Sequence, residues 1–353
     1  MEASEQKDAP TPPSPLRSVH TGSMPQLLGQ LGASLLISTY QAGKLIVARK
    51  DGPLLNTHFR NFDQPMGLAL DRGRLAIGTR SAVVEFRNMP AAAEKVEPKG
   101  THDACFIHRN TRVTGDVRIH DVEWIGDEIW FVATAFSCLA TLDDEHNFSP
   151  RWHPPFIEKV APGDYCHLNG MEVIDGRVAY VTALGTADEP GGWRENKASG
   201  GVLIDVASGE NLLEGLSMPH SPRWHDGRLW FLESGQGRLC VADPEAGTYE
   251  TVAELPGFTR GLNFAGPIAF VGLSQIRETP IFGGLPISER IEQRQCGVWA
   301  VDVRSGETVG FLRFEEAVQE VYDLLIVNAR MPEVEEFGSE ITRSSFVIEG
   351  WKD

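Results

Sequence analysis

The sequence predicts an all-β chain folded as a six-bladed β-propeller, and three observations carry that prediction. Gly and Pro are frequent, 36 and 22 residues, and no long stretch keeps a 3.6-residue apolar period; short β-branched and aromatic runs return between turn residues instead. A strand, tight turn, strand phrase then recurs: QPMGLALDRGRLAIGT from Gln64, RIHDVEWIGDEIWFVAT from Arg118, HLNGMEVIDGRVAYVTA from His167 and MPHSPRWHDGRLWFLES from Met218, with a looser copy from Phe258. A sixth inner strand, QEVYDLLIV, starts at Gln319 at the carboxyl end, while strands without a first partner start at Ser34, Gly43 and Leu54 near the amino end.

In chain order, residues 1–25 are rich in Pro, Ser and charge and read as a disordered leader, because they bury too little apolar surface to offset the entropy of ordering. Third strands follow the repeated phrase at Ser81, Gly200, Gly237 and Cys296, and fourth strands at Thr248 and Glu307. A four-stranded unit returning every 40 to 60 residues, roughly, is the signature of propeller blades. The sixth blade combines 319–327 with 33–60, a closure that leaves no open edge in the ring. This makes 26–330 one propeller domain and 331–353 a tail packed on it. A β-sandwich with extra strands is the alternative, and sandwiches do not repeat such a phrase at this period.

Lys plus Arg number 32 against 49 Asp plus Glu, a net charge of -17 that repels phosphate backbones and anionic lipid surfaces. Nucleic acid and membrane are therefore not expected partners; a small polar or anionic molecule or a peptide is. No window approaches 18 apolar residues and no export signal is visible. Five cysteines without CxxC spacing suit free thiols, so a bacterial-type cytoplasm is expected. Oligomeric state is not legible.

Several runs, STYQAGKL from Ser38, TGDVRIHDVEW from Thr114, CHLNGMEV from Cys166, GGWRENKASGG from Gly191, MPHSPRWHDGRLW from Met218, LPGFTRGLNFAG from Leu255 and FLRFEEAVQEVYD from Phe311, resemble a bacterial family of uncharacterised propeller-like proteins. In some members that domain is joined to tetratricopeptide repeats. The similarity covers nearly all of the chain after the leader. It supports the propeller and names no reaction.

Aligned inner strands place Met66, His120, Asn169, His220, Arg260 and Glu320 at one level beside the axis, with His167 two residues before Asn169. His120, His167 and His220 are 47 and 53 residues apart, one blade each, so three imidazoles face one mouth. Imidazole is the commonest neutral ligand of zinc, copper and iron, and three of them make a Lewis-acid site. The expectation is a metal-dependent enzyme of hydrolase, lyase or oxidase type. The alternatives are a non-catalytic propeller that binds a small ligand or peptide, and histidines that only cap turns.

Three residues further along each inner strand stand Glu123, Glu172, Arg223, Asn263 and Asp323, candidate partners for the histidines together with Asp121. Glu320 and Glu172 are expected to move a proton and Arg260 to orient an anionic group. Asn169, Arg223 and Asn263 are expected to bind substrate. Two long turns, 184–201 and 274–296, would hang over the same mouth; Trp193, Arg194, Glu195, Asn196 and Lys197 make the first a candidate lid. Trp152 and His153 would add to the rim. Cys166 points away from His167 on an extended strand, and His102 and His108 belong to an outer strand.

Overall fold

The repeated phrases fold as two-residue hairpins because their turns demand it. Asp226 and Gly227 both take positive φ, as do Asp175 with Gly176 and Arg72 with Gly73, the conformation that matches the twist of the flanking strands. A computed structural model describes residues 15–275, 283–346 and 348. In it six four-stranded antiparallel sheets follow one another around an axis. The inner strands of blades 1 to 5 are Leu68–Asp71, Ile119–Ile125, Leu168–Ile174, Pro219–His225 and Phe258–Ala265.

Blade 6 joins the two ends of the domain. Its inner strand Asp323–Val327 pairs with Ser34–Thr39, which continues to Lys44–Asp51 and Leu54–Asn61. Two fifth strands flank this closure. Ser18–His20 adds antiparallel to Glu307–Phe314 of blade 5, and Pro332–Val334 adds parallel to Ala104–Val113 of blade 1. The leader predicted to run to residue 25 is therefore shorter. Residues 18–20 complete a sheet edge and the helix Ser23–Leu31 buries Met24 and Leu28 between blades 5 and 6. Residues 1–14 lie outside the described ones. The second added strand is clamped: Arg49 and Arg60 donate to the carbonyls of Pro332 and Val334, and both face the buried Glu333.

The core is a ring of six apolar layers, one between each pair of neighbouring blades. Strands buried on both faces read as near-continuous apolar runs, as in Ser34–Thr39, where all six residues are buried. Close approach at the axis needs glycine. A Cβ on Gly67 would sit 2.7 Å from Asp121 Cα, and Gly261, at φ +76°, would place one 2.9 Å from Asp323 Cα.

Polar staples hold the inner strands in phase. Asp323 Oδ2 accepts from the Leu68 amide of blade 1 at 2.9 Å, Asp121 Oδ2 from Met171 of blade 3 at 3.0 Å, and Glu172 Oε1 from Trp224 of blade 4 at 2.9 Å. Buried carboxylates are tolerated there because each takes an amide proton that water cannot reach.

Candidate functional site

The residue two places before the aligned level has a positive φ in four successive blades: Gln64 at 49°, Arg118 at 55°, His167 at 52° and Met218 at 49°. A left-handed non-glycine residue costs roughly 1–2 kcal/mol, so four at one repeat position mark a built feature. The kink turns its own carbonyl toward the ring two residues on. Arg118 O lies 3.2 Å from His120 Nδ1, and Met218 O lies 2.9 Å from His220 Nδ1. In blade 3 the histidine itself occupies the kink, and Asp164 Oδ1 takes His167 Nδ1 at 2.8 Å. All three Nδ1 protons are thus directed at acceptors, which leaves the Nε2 lone pairs of His120 and His220 outward.

These three rings line one cavity of about 420 Å³ at the axial mouth. The His120 and His167 rings meet edge to face with centroids 4.8 Å apart, and His120 rests against Tyr322 at 5.2 Å. Burial, then His167, then Arg260, hold His120 well below the usual imidazole range, and burial with Arg260 does the same to His220. Among the described residues no three His, Cys, Asp or Glu side chains are grouped so as to hold a metal ion.

Arg260 reaches the mouth from blade 5, only 8% exposed. Its guanidinium lies 3.5 Å over the Tyr322 ring, and Nη1 donates to Glu320 Oε1 at 3.3 Å. Glu320 precedes the blade 6 strand, and burial raises its carboxyl above the ordinary range while Arg260 opposes that. An arginine has five N–H donors, so four of Arg260 have no partner among the described residues.

The turn 184–201 does cover the mouth. Its short 3₁₀ helix, Gly192–Asn196, buries Trp193 with the ring centroid 4.5 Å from that of His167, and Arg194 lies 4.6 Å over Trp193. Leu285 and Ile287, from the second long turn, pack with Trp193, Met218 and Phe258. Residues 276–282 of that turn lie outside the described ones. Asn196 and Lys197 do not line the cavity; the Asn196 side chain accepts from Ser199 and shapes its own turn.

Below the mouth lies a second tier, reached through a void of about 10 Å³. Arg223 stands in it, 3.4 Å from Asp121 and bonded to the carbonyls of Met171 and Pro222. Burial alone would lower its pKa, and Asp121, Asp323, Glu123 and Glu172 outweigh that, so it stays charged. Burial pushes Glu123 up to about 8, Glu172 to about 7 and Asp323 to about 7, with Arg223 opposing in each case. Glu172, Arg223 and Asn169 were expected at the substrate and stand instead in this tier. Asn169 bonds Pro219 O and Thr182 with both ends of its amide, and Glu172 holds a neighbouring blade. The reason is a bulge between the two levels, seen opposite His220 to Arg223 and Thr259 to Leu262. An added residue brings position three back onto the axis, one level deeper.

Other expected positions fall elsewhere. Asn263 lines a cavity of about 450 Å³ with Arg72 and Asn328, at the face where the first hairpins turn. Ser149–Trp152 is the outer strand of blade 2, so Trp152 packs against blade 3 and His153 caps a local carbonyl. Cys166 is fully buried, its thiol pushed up to about 12 by burial. His108 lies in the outer strand of blade 1 and His102 just before it. The sequence reading missed Asp164, Tyr322, Arg118 and Tyr40, all on the cavity wall. The GDYCH run was the signal for Asp164; Arg118 had none, because the kink at positions 64, 118, 167 and 218 falls on four different residue types.

A family model described as a domain of unknown function, DUF4915, matches residues 22–334. The chain belongs to this family. The DUF4915 match begins near the helix Ser23–Leu31 and ends at the clamped strand Pro332–Val334, so it takes in both fifth strands' neighbourhoods and the whole ring. No curated protein matches the chain. Among solved structures, a chain of the crystal structure of a nidogen/laminin complex is similar at a TM-score of 0.51 and 10% identity. The match covers 85% of this chain and 100% of that one. Identity that low shows the propeller fold of this DUF4915 domain alone. No helix among the described residues is long and apolar enough to cross a membrane.

Proposed function

We propose that the axial mouth binds a small anionic molecule, with Arg260 as its anchor. The observation that supports this is a buried guanidinium, braced by Tyr322, with four donors unpartnered among the described residues in a cavity of about 420 Å³. Water excluded from such a site strengthens each charge-assisted bond that an anion makes. The lid around Trp193 closes the volume, whose size suits a ligand of metabolite scale rather than a folded partner. Five free, buried cysteines support a place in a reducing compartment, the bacterial cytoplasm.

Calorimetric titration with small carboxylates and phosphates tests the reading. Arg260→Gln should weaken the best anion at least roughly 100-fold, and Arg260→Lys less, because it keeps the charge and loses the planar fork. Unchanged affinity in Arg260→Gln, with an unchanged melting temperature, rejects the assignment.

One observation favours a second reading, a divalent transition metal on His120, His167 and His220. Each Nδ1 is held by a carbonyl or carboxylate, the arrangement that orients metal-ligating imidazoles. The three rings would have to draw closer than the described residues hold them before a metal there could polarise a carbonyl or activate water. Elemental analysis of untagged protein decides it: near-stoichiometric zinc, iron or copper should vanish in the triple alanine variant. Equal metal in both preparations rejects the histidine ligands.

A further inference from the structure

We infer that the mouth is built for a monoanionic hydroxycarboxylate with an apolar body, an inference that rests on the anion-binding reading above. Three features of the cavity wall narrow the class of anion, and each is independent of the others.

The first is charge. Four guanidiniums, Arg80, Arg118, Arg194 and Arg260, line the cavity with three carboxylates, Asp116, Asp164 and Glu320. Arg80 faces Asp116 at 3.0 Å, Arg260 faces Glu320 at 3.3 Å, and Asp164 alone takes both Arg118 at 3.2 Å and Arg194 at 3.4 Å, so the surplus lies on the rim beside Asp164. One positive charge is left over. Burial of a ligand that carries two charges would leave one of them uncompensated, at a steep desolvation cost. A carboxylate matches the surplus and a phosphate dianion exceeds it.

The second is hydrogen-bond polarity. His120 Nδ1 points at the Arg118 carbonyl and His220 Nδ1 at the Met218 carbonyl, with Ser234 Oγ also 2.9 Å from it; a carbonyl only accepts, which places the protons on Nδ1 and leaves the Nε2 atoms as acceptors. No hydrogen bond to either Nε2 occurs among the described residues, and both rings line the cavity. Anion oxygens gain nothing from such lone pairs. A ligand O–H does, and a hydroxyl near the carboxylate would reach from Arg260 to these rings, which also face the void beneath it. The third is apolar surface. Trp193, Phe258, Leu184 and Met218 form one apolar cluster that lines part of the cavity wall. Contact with such a wall stabilises an apolar ligand body by removing it from water.

Titration of the full chain near neutral pH with a matched set tests this: 3-phenyllactate, hydrocinnamate without the hydroxyl, uncharged 3-phenyllactamide, phenyl phosphate and inorganic phosphate. Phenyllactate should bind best, loss of the hydroxyl should weaken it about tenfold, and loss of the charge about 100-fold. Trp193→Leu should weaken phenyllactate by a larger factor than lactate, a readout separate from Arg260. Phosphates that bind as tightly as phenyllactate overturn the carboxylate class and leave the anion site standing. Hydrocinnamate equal to phenyllactate overturns the role of the two imidazoles. If no anion in the set binds a protein with a normal melting transition, both this inference and the anion-binding reading fail.

Discussion

Replacing Arg223 by Met should lower the stability of the folded chain by about 3–5 kcal/mol near pH 8, the usual cost of removing one partner from a buried charge group. Methionine keeps most of the length and the apolar stem, so the loss is electrostatic. Arg223 is the cation of the second tier, with Asp121 at 3.4 Å and Asp323, Glu123 and Glu172 close enough to raise its pKa against burial. Those carboxylates cannot move away, because Asp323, Asp121 and Glu172 accept amides of neighbouring blades. Without the guanidinium they must bury charge or take protons. The variant's melting temperature should fall by roughly 5 °C at pH 8 and recover part of that at pH 6. Adding Glu172→Gln should restore part of the loss at pH 8, since it removes one uncompensated charge. An Arg223→Met protein that melts with the wild type at pH 8 contradicts this account.

The wild type should lose stability as pH rises from 6.5 to 8, by about 3 kcal/mol over three carboxyls, since each group that keeps its proton only in the folded state contributes about 1.4 kcal/mol per pH unit. Glu123, at about 8, and Glu172 and Asp323, at about 7, have folded values above their unfolded ones. The folded state therefore holds protons that the unfolded chain has released. Stability falls as pH rises toward the folded values and levels off above about 8. His120 and His220 act in the opposite sense and lower down: both are held below 6.5, so acid protonates the unfolded chain first and removes stability beneath that pH. Glu123→Gln should flatten the alkaline limb and raise the melting temperature at pH 8; a wild type more stable at pH 8.5 than at 6.5 contradicts the assignment.

How much of this was legible in advance depended on repetition. Asp175 with Gly176 and Asp226 with Gly227 mark hairpins locally, and the phrase around them returns once per blade, so the blade number and the closure through Ser34–Thr39 follow from the chain itself. His120, His220, Arg260 and Glu320 were legible because each stands at the same level of its repeat, where symmetry substitutes for coordinates. Trp193 was legible as part of an insertion on the mouth side. The first fifth strand was not. Ser18–His20 sits in a polar, Pro-rich stretch and is ordered only because Glu307–Phe314 offers it a free edge.

What the amino-acid order determined alone is the set of local patterns and their period: the β alternation, the glycine turns, six units and the level at which polar residues recur. What only the tertiary structure decided is direction. A bulge of one residue sends Glu172 and Arg223 down the axis and not to the mouth, and a left-handed kink aims the Arg118 carbonyl at His120. Asp164 comes to His167, Arg118 and Arg194 through a long connection whose path no period encodes. Such turns of the backbone cost only about 1–3 kcal/mol each, so packing of whole blades settles them, not the residues that adopt them.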